Sequence, residues 1–148
     1  MKIVVLIENT APEGSCLAAE HGLSFYVEHR GKAILLDAGA SGAFADNAAA
    51  LGVGLERVDA AVLSHGHYDH AGGLGRFFAC NGRAKVYARP SAGGAYFSTS
   101  MGEPRFIGVS RELWEGQRDR FETPEGLFQL FDGVWLVPET VPVSYTHL

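Results

Sequence analysis

The sequence predicts an α/β fold built on a mixed sheet that is flanked by helices. Short apolar runs rich in β-branched residues alternate with helix-like segments along the 148 residues of the chain, and this alternation is typical of strands that are joined by helices. One segment rich in chemically active side chains, residues 64–73, follows such a run directly. Folds of this class usually carry their chemistry on strand-to-helix loops. The length suits a single domain.

The first part of the chain predicts five strands and two helices. We expect a buried strand at Lys2–Ile7, because it is an apolar run with β-branched members. A polar turn at residues 29–32 joins the next two strands into a hairpin, and Gly52 ends the first helix. The further strands are predicted at residues 23–28, 33–36, 59–63 and 84–88, and the helices at residues 44–51 and 74–80.

The later residues predict shorter elements. Strands at residues 105–109, 119–122, 127–131 and 134–137 are consistent with a second portion of the sheet. Residues 112–118 form either a helical turn or a loop. Residues 91–101 form a helix, a mobile flap at a substrate site, or an ordinary connection. Within them, Tyr96 and Phe97 either stack on a flat ring of a ligand or belong to the core.

Residues 64–73 hold the main candidate for a functional site. His65, His67, Asp69 and His70 lie within six positions, and all four are metal-ligand types. In extended backbone, residues i and i+2 point the same way, so His65 and His67 can reach one metal together. Asp69 and His70 follow where the chain turns toward a helix, so they can reach a second metal. Two metal ions roughly 3.5–4 Å apart are a common hydrolytic device.

Each of these side chains alone also fits an ordinary structural role. A single histidine is usually a surface or core residue, and Asp69 could cap the following helix. Three histidines this close would repel one another when protonated, unless a bound cation keeps them neutral. The cluster as a whole therefore favours metal binding. His21 and His29 are expected to face solvent, and the loop of residues 8–20 either lies beside the metal site or forms a capped turn.

The motif His65-x-His67-x-Asp69-His70, preceded by an apolar strand and followed by Gly-Gly-Leu, resembles the signature of the metallo-β-lactamase fold superfamily. Further stretches resemble its branch of dihydropterin-methyl-ribofuranosylaminobenzene phosphate synthases: E-N-T at 8–10, G-L-S-F at 22–25, I-L-L-D-A-G at 34–39, V-Y-A-R-P at 86–90 and I-G at 107–108. Arg89 departs from that branch, which more often has histidine there. The resemblance covers about residues 1–142.

The resemblance implies the N-terminal half of an αββα sandwich with a dinuclear metal site. Zinc is favoured because the loop is rich in histidine, whereas manganese or iron(II) would also be compatible. The resemblance further implies that Asp69 orients the attacking water and that Asp37 supports the histidines as an outer carboxylate. A turn aspartate with a helix cap is the alternative for Asp37. The implied substrate is a small phosphorylated, pterin-like or ribosyl molecule.

The chain departs from this resemblance at its C-terminal end. Family chains continue for about another hundred residues, beyond an ordinary small domain, and that part supplies a histidine for the first metal, a bridging aspartate and a histidine for the second. We therefore expect a partial domain over residues 1–142. Residues 143–148 resemble translated adapter sequence and are predicted to be a non-native tail, so His147 is not expected to be a ligand.

The composition narrows the class of partner. Twelve basic and seventeen acidic residues give a net charge of −5, and without a basic cluster this argues against nucleic-acid binding. No apolar run approaches the roughly 20 residues that span a membrane, and the N-terminus lacks a signal-peptide core. With Cys16 and Cys80 predicted to be free thiols, we expect a cytoplasmic protein with a small-molecule substrate. The sequence leaves the oligomeric state open.

Two functions remain in competition at this point. The first is a metal-dependent hydrolase, or a related synthase, that uses a dinuclear site to activate water. The alternative is a catalytically inert fragment or binding module, because two ligands per metal fall short of the three protein ligands typical of catalytic zinc.

Overall fold

The computed structural model describes residues 1–100 and 102–137. The predicted C-terminal tail, with His147, lies outside them. The strands within this range are β1 (Lys2–Ile7), β2 (Ser24–His29), β3 (Lys32–Leu36), β4 (Ala60–Val62), β5 (Lys85–Tyr87), β6 (Phe97–Ser98), β7 (Arg105–Phe106), β8 (Phe121–Glu122), β9 (Phe128–Phe131) and β10 (Val134–Leu136). The α-helices are α1 (Ala43–Ala50), α2 (Tyr68–Ala71), α3 (Leu74–Cys80) and α4 (Arg111–Gly116).

Six of these strands form one mixed sheet in the order β1-β2-β3-β4-β5-β8. The first three are antiparallel neighbours, and β3, β4, β5 and β8 run parallel. The predicted hairpin of β2 and β3 is confirmed, with Arg30 and Gly31 at its tip. Both residues have positive φ, 48° and 74°. A two-residue turn with positive φ at both positions has a twist that matches that of the flanking strands.

The main core lies between the sheet and the helices α1 and α3. Phe44 of α1 and Phe77 of α3 are fully buried and belong to one cluster with Leu35 of β3. Ile34, the neighbour of Leu35, belongs to a smaller cluster with Leu130 of β9. Because adjacent strand residues point to opposite faces, the sheet has apolar residues on both sides. This confirms the mixed sheet flanked by helices.

Strand β1 is less buried than the sequence predicts. Only Leu6 and Ile7 are buried, whereas Ile3 is 55% and Val5 46% exposed. β1 lies at the end of the sheet and pairs with β2 alone within the described residues. The apolar run identified a strand correctly, but such a run does not reveal how many neighbours the strand has.

The later strands do not form the predicted second portion of the sheet. Only β8 joins the main sheet, whereas β6–β7 and β9–β10 are separate antiparallel pairs. Residues 112–118, left open between a helical turn and a loop, fall largely in α4, whose N-cap Ser110 accepts a hydrogen bond from the backbone of Leu113. Residues Pro90–Gly93 form a 3-10 turn, and Met101 lies outside the described residues. None of the helices described has the length and hydrophobicity to cross a membrane.

Three parallel strands end at the same edge of the sheet. Asp37 directly follows β3, and Ser64 comes two residues after β4. The backbone N–H of Asp37 donates to the carbonyl of Val62 at 2.9 Å, and that of Leu63 donates to Tyr87 at 2.9 Å. These bonds continue the ladder beyond the strands, so the residues that follow β3 and β4 lie side by side. The histidine cluster lies at this edge.

Candidate metal centre

The segment of residues 64–67, here called the histidine loop, joins β4 to α2. His67 has extended backbone, with φ −87° and ψ 150°, and immediately precedes the first residue of α2. The chain bends over residues 64–66, which include His65, whereas Asp69 and His70 lie on a single helical turn. The change of backbone conformation at His67 brings all four side chains to one place.

His65 and His67 form the first pair of donor atoms. The Nε2 atom of His65 lies 3.1 Å from the Nδ1 atom of His67. Two nitrogens that are each about 2.0–2.1 Å from a tetrahedral zinc ion lie roughly 3.3–3.4 Å apart. The spacing of these two nitrogens is therefore close to that of two ligands of one ion.

Asp69 and His70 form the second pair. The Oδ2 atom of Asp69 lies 3.5 Å from the Nε2 atom of His70, and their side chains are 15% and 19% exposed. His70 diverges less from the first pair than the sequence suggested, because the helical turn brings its ring centroid within 4.2 Å of that of His65. The two pairs are thus neighbours in a single cluster.

Asp37 lies beneath the cluster with a side chain that is only 1% exposed. Its Oδ1 atom accepts a hydrogen bond from the backbone N–H of Ser64 at 2.7 Å, and its Oδ2 atom accepts one from the Ser64 hydroxyl at 2.7 Å. The same Oδ2 atom lies 2.7 Å from the Nδ1 atom of His70. The backbone of Asp37 has a φ of 57°, a left-handed conformation in which aspartate is several-fold enriched among non-glycine residues. This carboxylate contacts both ends of the segment of residues 64–70, here called the histidine segment.

The hydrogen bonds determine which ring nitrogen of each histidine carries a lone pair. An ionised carboxylate only accepts, so Nδ1 of His70 donates to Asp37 and its Nε2 carries the lone pair. The Ser64 hydroxyl uses its proton toward Asp37, so its oxygen accepts from Nδ1 of His65 at 2.9 Å. Nε2 of His65 then also carries a lone pair. Both rings are therefore in the tautomer that offers Nε2 to a ligand.

The environment of His65 also favours its neutral form. Partial loss of its water contacts lowers the pKa of His65 below its ordinary value, and the charges that His70 and His67 would carry lower it further. A neutral imidazole is the form that binds a metal ion.

The donor set and the two spacings fit divalent metal ions. Within residues 1–100 and 102–137, however, no three side chains of His, Cys, Asp or Glu are arranged to hold a single ion. Each pair therefore provides two donors, and the assignment of His65, His67, Asp69 and His70 as metal ligands stays a prediction.

His21 is a neighbour of the cluster that the sequence did not identify. Its side chain is 74% exposed, as expected, but its Nε2 atom lies 3.4 Å from Oδ2 of Asp69. The contact depends on Gly22, where a Cβ atom would lie 2.4 Å from the carbonyl oxygen of Asp69. The carboxylate of Glu20, on the other side, accepts hydrogen bonds from the backbone of Ala40 and Ser41. The end of the loop of residues 8–20 is thus anchored beside the site.

The histidine loop is also held by residues that come later in the chain. The N–H of Tyr68 donates to the carbonyl of Ile107 at 2.8 Å, and the N–H of Val109 donates to the carbonyl of Gly66 at 3.0 Å. A Cβ atom at Gly66 would lie 2.0 Å from the carbonyl oxygen of Ala92. Glycine is therefore required at position 66 by close packing. The only sequence signal for this was the glycine itself.

A cavity of about 260 Å³ opens beside the cluster, between the histidine segment and the β6–β7 hairpin. His67 and Asp69 contribute to one side of it, and Arg105 contributes to the other. The ring of Tyr96 meets that of His67 edge to face at 5.3 Å, and Phe97 is 60% exposed. Neither aromatic residue belongs to the buried core, which leaves the ligand-stacking role as a prediction.

Comparison with known families identifies the family of the chain. The model of the metallo-beta-lactamase superfamily matches residues 18–147. The chain belongs to the metallo-beta-lactamase superfamily. The predicted resemblance is thereby confirmed at the level of the superfamily. The matched range runs into residues 143–148, whose non-native origin stays a prediction.

Two curated relatives come from Methanocaldococcus jannaschii. An uncharacterized protein is 36% identical over 115 residues, which make up 76% of this chain and 42% of that protein. A 7,8-dihydropterin-6-methyl-4-(beta-D-ribofuranosyl)-aminobenzene-5'-phosphate synthase is 33% identical over 116 residues, 72% of this chain and 37% of that protein. The chain therefore spans about two-fifths of the length of these relatives. The similarity to the predicted branch is confirmed.

Solved structures of metallo-beta-lactamase superfamily proteins share the fold. A quorum-quenching N-acyl homoserine lactone lactonase has a TM-score of 0.55 at 18% identity, covering 78% of this chain and 49% of that chain. A subclass B3 metallo-beta-lactamase isolated from a soil metagenome library has a TM-score of 0.50 at 22% identity, covering 73% and 42%. At these identities the likeness establishes the fold alone, and it confirms the predicted fold class.

Proposed function

We propose that this metallo-beta-lactamase superfamily chain acts as a metal-dependent hydrolase, or a related synthase, with a dinuclear site in which zinc is favoured. One observation carries the proposal. Two donor pairs, spaced 3.1 and 3.5 Å, lie in one cluster, and the hydrogen bonds to Asp37 and Ser64 leave a lone pair on Nε2 of His65 and of His70. This arrangement of donor atoms and supporting hydrogen bonds suits two divalent ions.

The residues take distinct roles in this proposal. His65 and His67 hold one ion, and Asp69 with His70 holds the other. When bound, such ions polarise a substrate oxygen and lower the pKa of a water molecule to near neutrality. The carboxylate of Asp69 would also orient a water molecule, as a general base does. Asp37 is a positioning residue, because it acts through His70 and Ser64 and is itself buried.

The proposed substrate is a small phosphorylated molecule. The support is the synthase relative at 33% identity, whose name includes a 5'-phosphate. A pair of divalent cations attracts anionic oxygen, which is consistent with that class of substrate. The β-lactamases and the lactonase share only the fold with this chain, so they provide no argument for a β-lactam or lactone substrate.

A second candidate function is binding without chemistry. The observation that favours it is the number of donors, since each pair in the described residues supplies two where catalytic zinc usually has three protein ligands. This candidate predicts weak metal binding and no turnover.

The test of the metal site is the zinc content of the purified protein, measured by elemental analysis and competition titration. In a protein that also carries the further ligands implied by the family resemblance, we expect close to two zinc ions per chain. His65→Ala and Asp69→Ala should each weaken at least one site by about 10-fold or more, as the loss of a supporting group alone can do. His29→Ala is the matched control, because His29 ends β2 at the opposite edge of the sheet. Unchanged zinc content in the variant that combines His65→Ala and Asp69→Ala would contradict the assignment of the ligands.

The test of the reaction is a panel of substrates offered to the zinc- or manganese-loaded protein. The panel contains phosphodiesters, phosphomonoesters, thioesters, lactones and a β-lactam. We expect turnover of a phosphorylated compound that is lost in Asp69→Ala. A β-lactam or thioester hydrolysed far faster than any phosphorylated compound would contradict the proposed substrate class, and no turnover with full zinc occupancy would favour the binding function.

A further inference from the structure

We propose that Arg105 and Ser98 form an anion subsite that binds the phosphate group of the substrate beside the metal centre. The identity of the anion as part of a substrate rests on the proposed function, whereas the subsite itself rests on the β6–β7 hairpin. The observations are a cavity, a cation without an ion pair among residues 1–100 and 102–137, and two hydroxyl groups.

The cavity of about 260 Å³ connects the two groups of residues. His67 and Asp69 lie on the side of the metal centre, and Ser98, Ser100 and Arg105 lie on the side of the hairpin. Its volume is just below the roughly 300 Å³ at the lower end of small-molecule sites. It therefore accommodates a phosphate and the few atoms attached to it, rather than an entire cofactor-sized ligand.

Ser98 and Arg105 are cross-strand partners. They lie directly opposite each other in the β6–β7 pair, so their side chains project from the same face of the hairpin. The hydroxyl of Ser98 lies 2.9 Å from that of Ser100. The side chain of Arg105 is exposed and makes no ion pair or hydrogen bond with the described part of the chain. A guanidinium that faces a cavity without a carboxylate partner is available to an anionic ligand.

The hairpin is fixed to the metal centre through the backbone. The N–H of Tyr68 donates to the carbonyl of Ile107, and the N–H of Ile107 donates to that of Tyr96 at 2.9 Å. His67 and Gly108 also form a β-bridge. These bonds hold the subsite at a constant distance from the donor atoms, so a ligand bound at Arg105 presents its attached atoms to the cluster.

The chemistry of the subsite suits phosphate. A planar guanidinium donates two parallel hydrogen bonds to a phosphate, and hydroxyl groups donate to the remaining oxygens. The chain has a net charge of −5, so an anion needs a local cation to be held. On the opposite side of the cavity, the carboxylate of Asp69 would repel a phosphate, which favours the end of the cavity formed by Arg105.

The test measures the binding of inorganic phosphate to the purified chain by isothermal titration calorimetry, with zinc counted in the same samples. Arg105→Ala should weaken phosphate binding by about 10-fold or more, because it removes hydrogen bonds from a charged donor. Arg105→Lys keeps the charge but not the planar fork, so an intermediate loss is expected. Ser98→Ala should cause a loss of several-fold. All three variants should keep the zinc content of the wild type.

Arg111→Ala is the matched control, since Arg111 is an exposed arginine of α4 that pairs with Glu115. Equal phosphate affinity in the Arg105→Ala and Arg111→Ala variants would overturn the subsite, as would a wild-type chain that binds no phosphate. The two proposals fail separately. If the chain binds phosphate through Arg105 but binds no zinc, the metal centre is refuted and the subsite is supported. If the chain binds zinc and its phosphate binding does not depend on Arg105, the subsite is refuted and the metal centre is supported.

Discussion

Oδ2 of Asp37 accepts hydrogen bonds from both the Ser64 hydroxyl and Nδ1 of His70, each at 2.7 Å. One buried oxygen thus sets the orientation of both Ser64 and His70. Because a carboxylate can only accept, it also places the proton of His70 on Nδ1. The geometry of the site therefore depends on a residue that does not face the cavity.

Asp37→Asn should uncouple this arrangement while keeping the shape of the side chain. An amide group in place of Oδ2 cannot accept from Nδ1 of His70, so the ring proton would move to Nε2 and block that donor atom. We expect zinc affinity to fall about 10- to 100-fold. The measurement is competition titration with a chelating dye. Asp132→Asn, at an exposed carboxylate paired with Arg30, is the control and should bind zinc like the wild type; equal affinities in both variants would contradict the role of Asp37.

His21→Ala should affect the metal site more than the fold. The contact of His21 with Asp69 spans 3.4 Å, and the His21 side chain is 74% exposed, so its removal should change the melting temperature little. Zinc affinity should fall several-fold, because Asp69 loses one of the two rings that flank its carboxylate. Thermal melts and zinc titrations on the same samples separate the two effects. If His21→Ala lowers zinc affinity no more than His29→Ala, the contact has no role in holding Asp69.

Gly66→Ala should disrupt the histidine loop. The added Cβ atom would lie 2.0 Å from the carbonyl oxygen of Ala92, and backbone must move to relieve that overlap. We expect the free energy of unfolding to fall by about 1–3 kcal/mol, as in other overpacked sites, together with loss of zinc. Gly82→Ala is the control, since its Cβ would meet nothing within 4 Å. Chemical denaturation gives the free energy of unfolding of each variant. Equal stability of the two variants would show that the loop adapts to the added Cβ atom.

Asn81→Ala should destabilise the fold at a distance from the site. The buried amide of Asn81 donates to the carbonyls of Leu55 and Val58, each at 2.9 Å, and its oxygen accepts from the backbone of Ala84 at 2.8 Å. The variant leaves these groups unpaired, so we expect a loss of about 2–4 kcal/mol in the free energy of unfolding.

Urea denaturation checks the Asn81 prediction, with Gln117→Ala as the control at an exposed residue after α4. Zinc content should be unchanged in the folded Asn81→Ala protein. A loss below about 0.5 kcal/mol, the range of ordinary surface substitutions, would mean that water replaces the amide at little cost.

Much of the fold was predictable because it is encoded locally. The β2–β3 hairpin follows from two apolar runs around Arg30-Gly31, and the β4 strand follows from a short apolar run. The helix α3 follows from the helix-like segment after the glycine pair at 72–73. The exposure of Ile3 and Val5 was not predictable, since it depends on which strands lie next to β1. The two-residue strands β6 and β7 contain too few residues for a period to be read.

The candidate site divides in the same way. The sequence argument placed His65 and His67 together, and their ring nitrogens do lie 3.1 Å apart. The premise was wrong, because the chain bends over residues 64–66 and is extended only at His67. The contact of His21 with Asp69 joins residues far apart in sequence, and single-sequence patterns carry no information about such pairs. The positive φ of Asp37 was equally hidden, because aspartate is compatible with several backbone conformations.

The bond from the N–H of Val109 to the carbonyl of Gly66 has a consequence for the order in which the chain becomes structured. During synthesis, 43 positions separate the two residues, and at about 5–20 residues per second the ribosome needs roughly 2–9 s to add them. Over that interval the nascent histidine segment exists without the residues after β7 that later form hydrogen bonds with it. The cluster therefore reaches its finished geometry only after Val109 has been added to the chain.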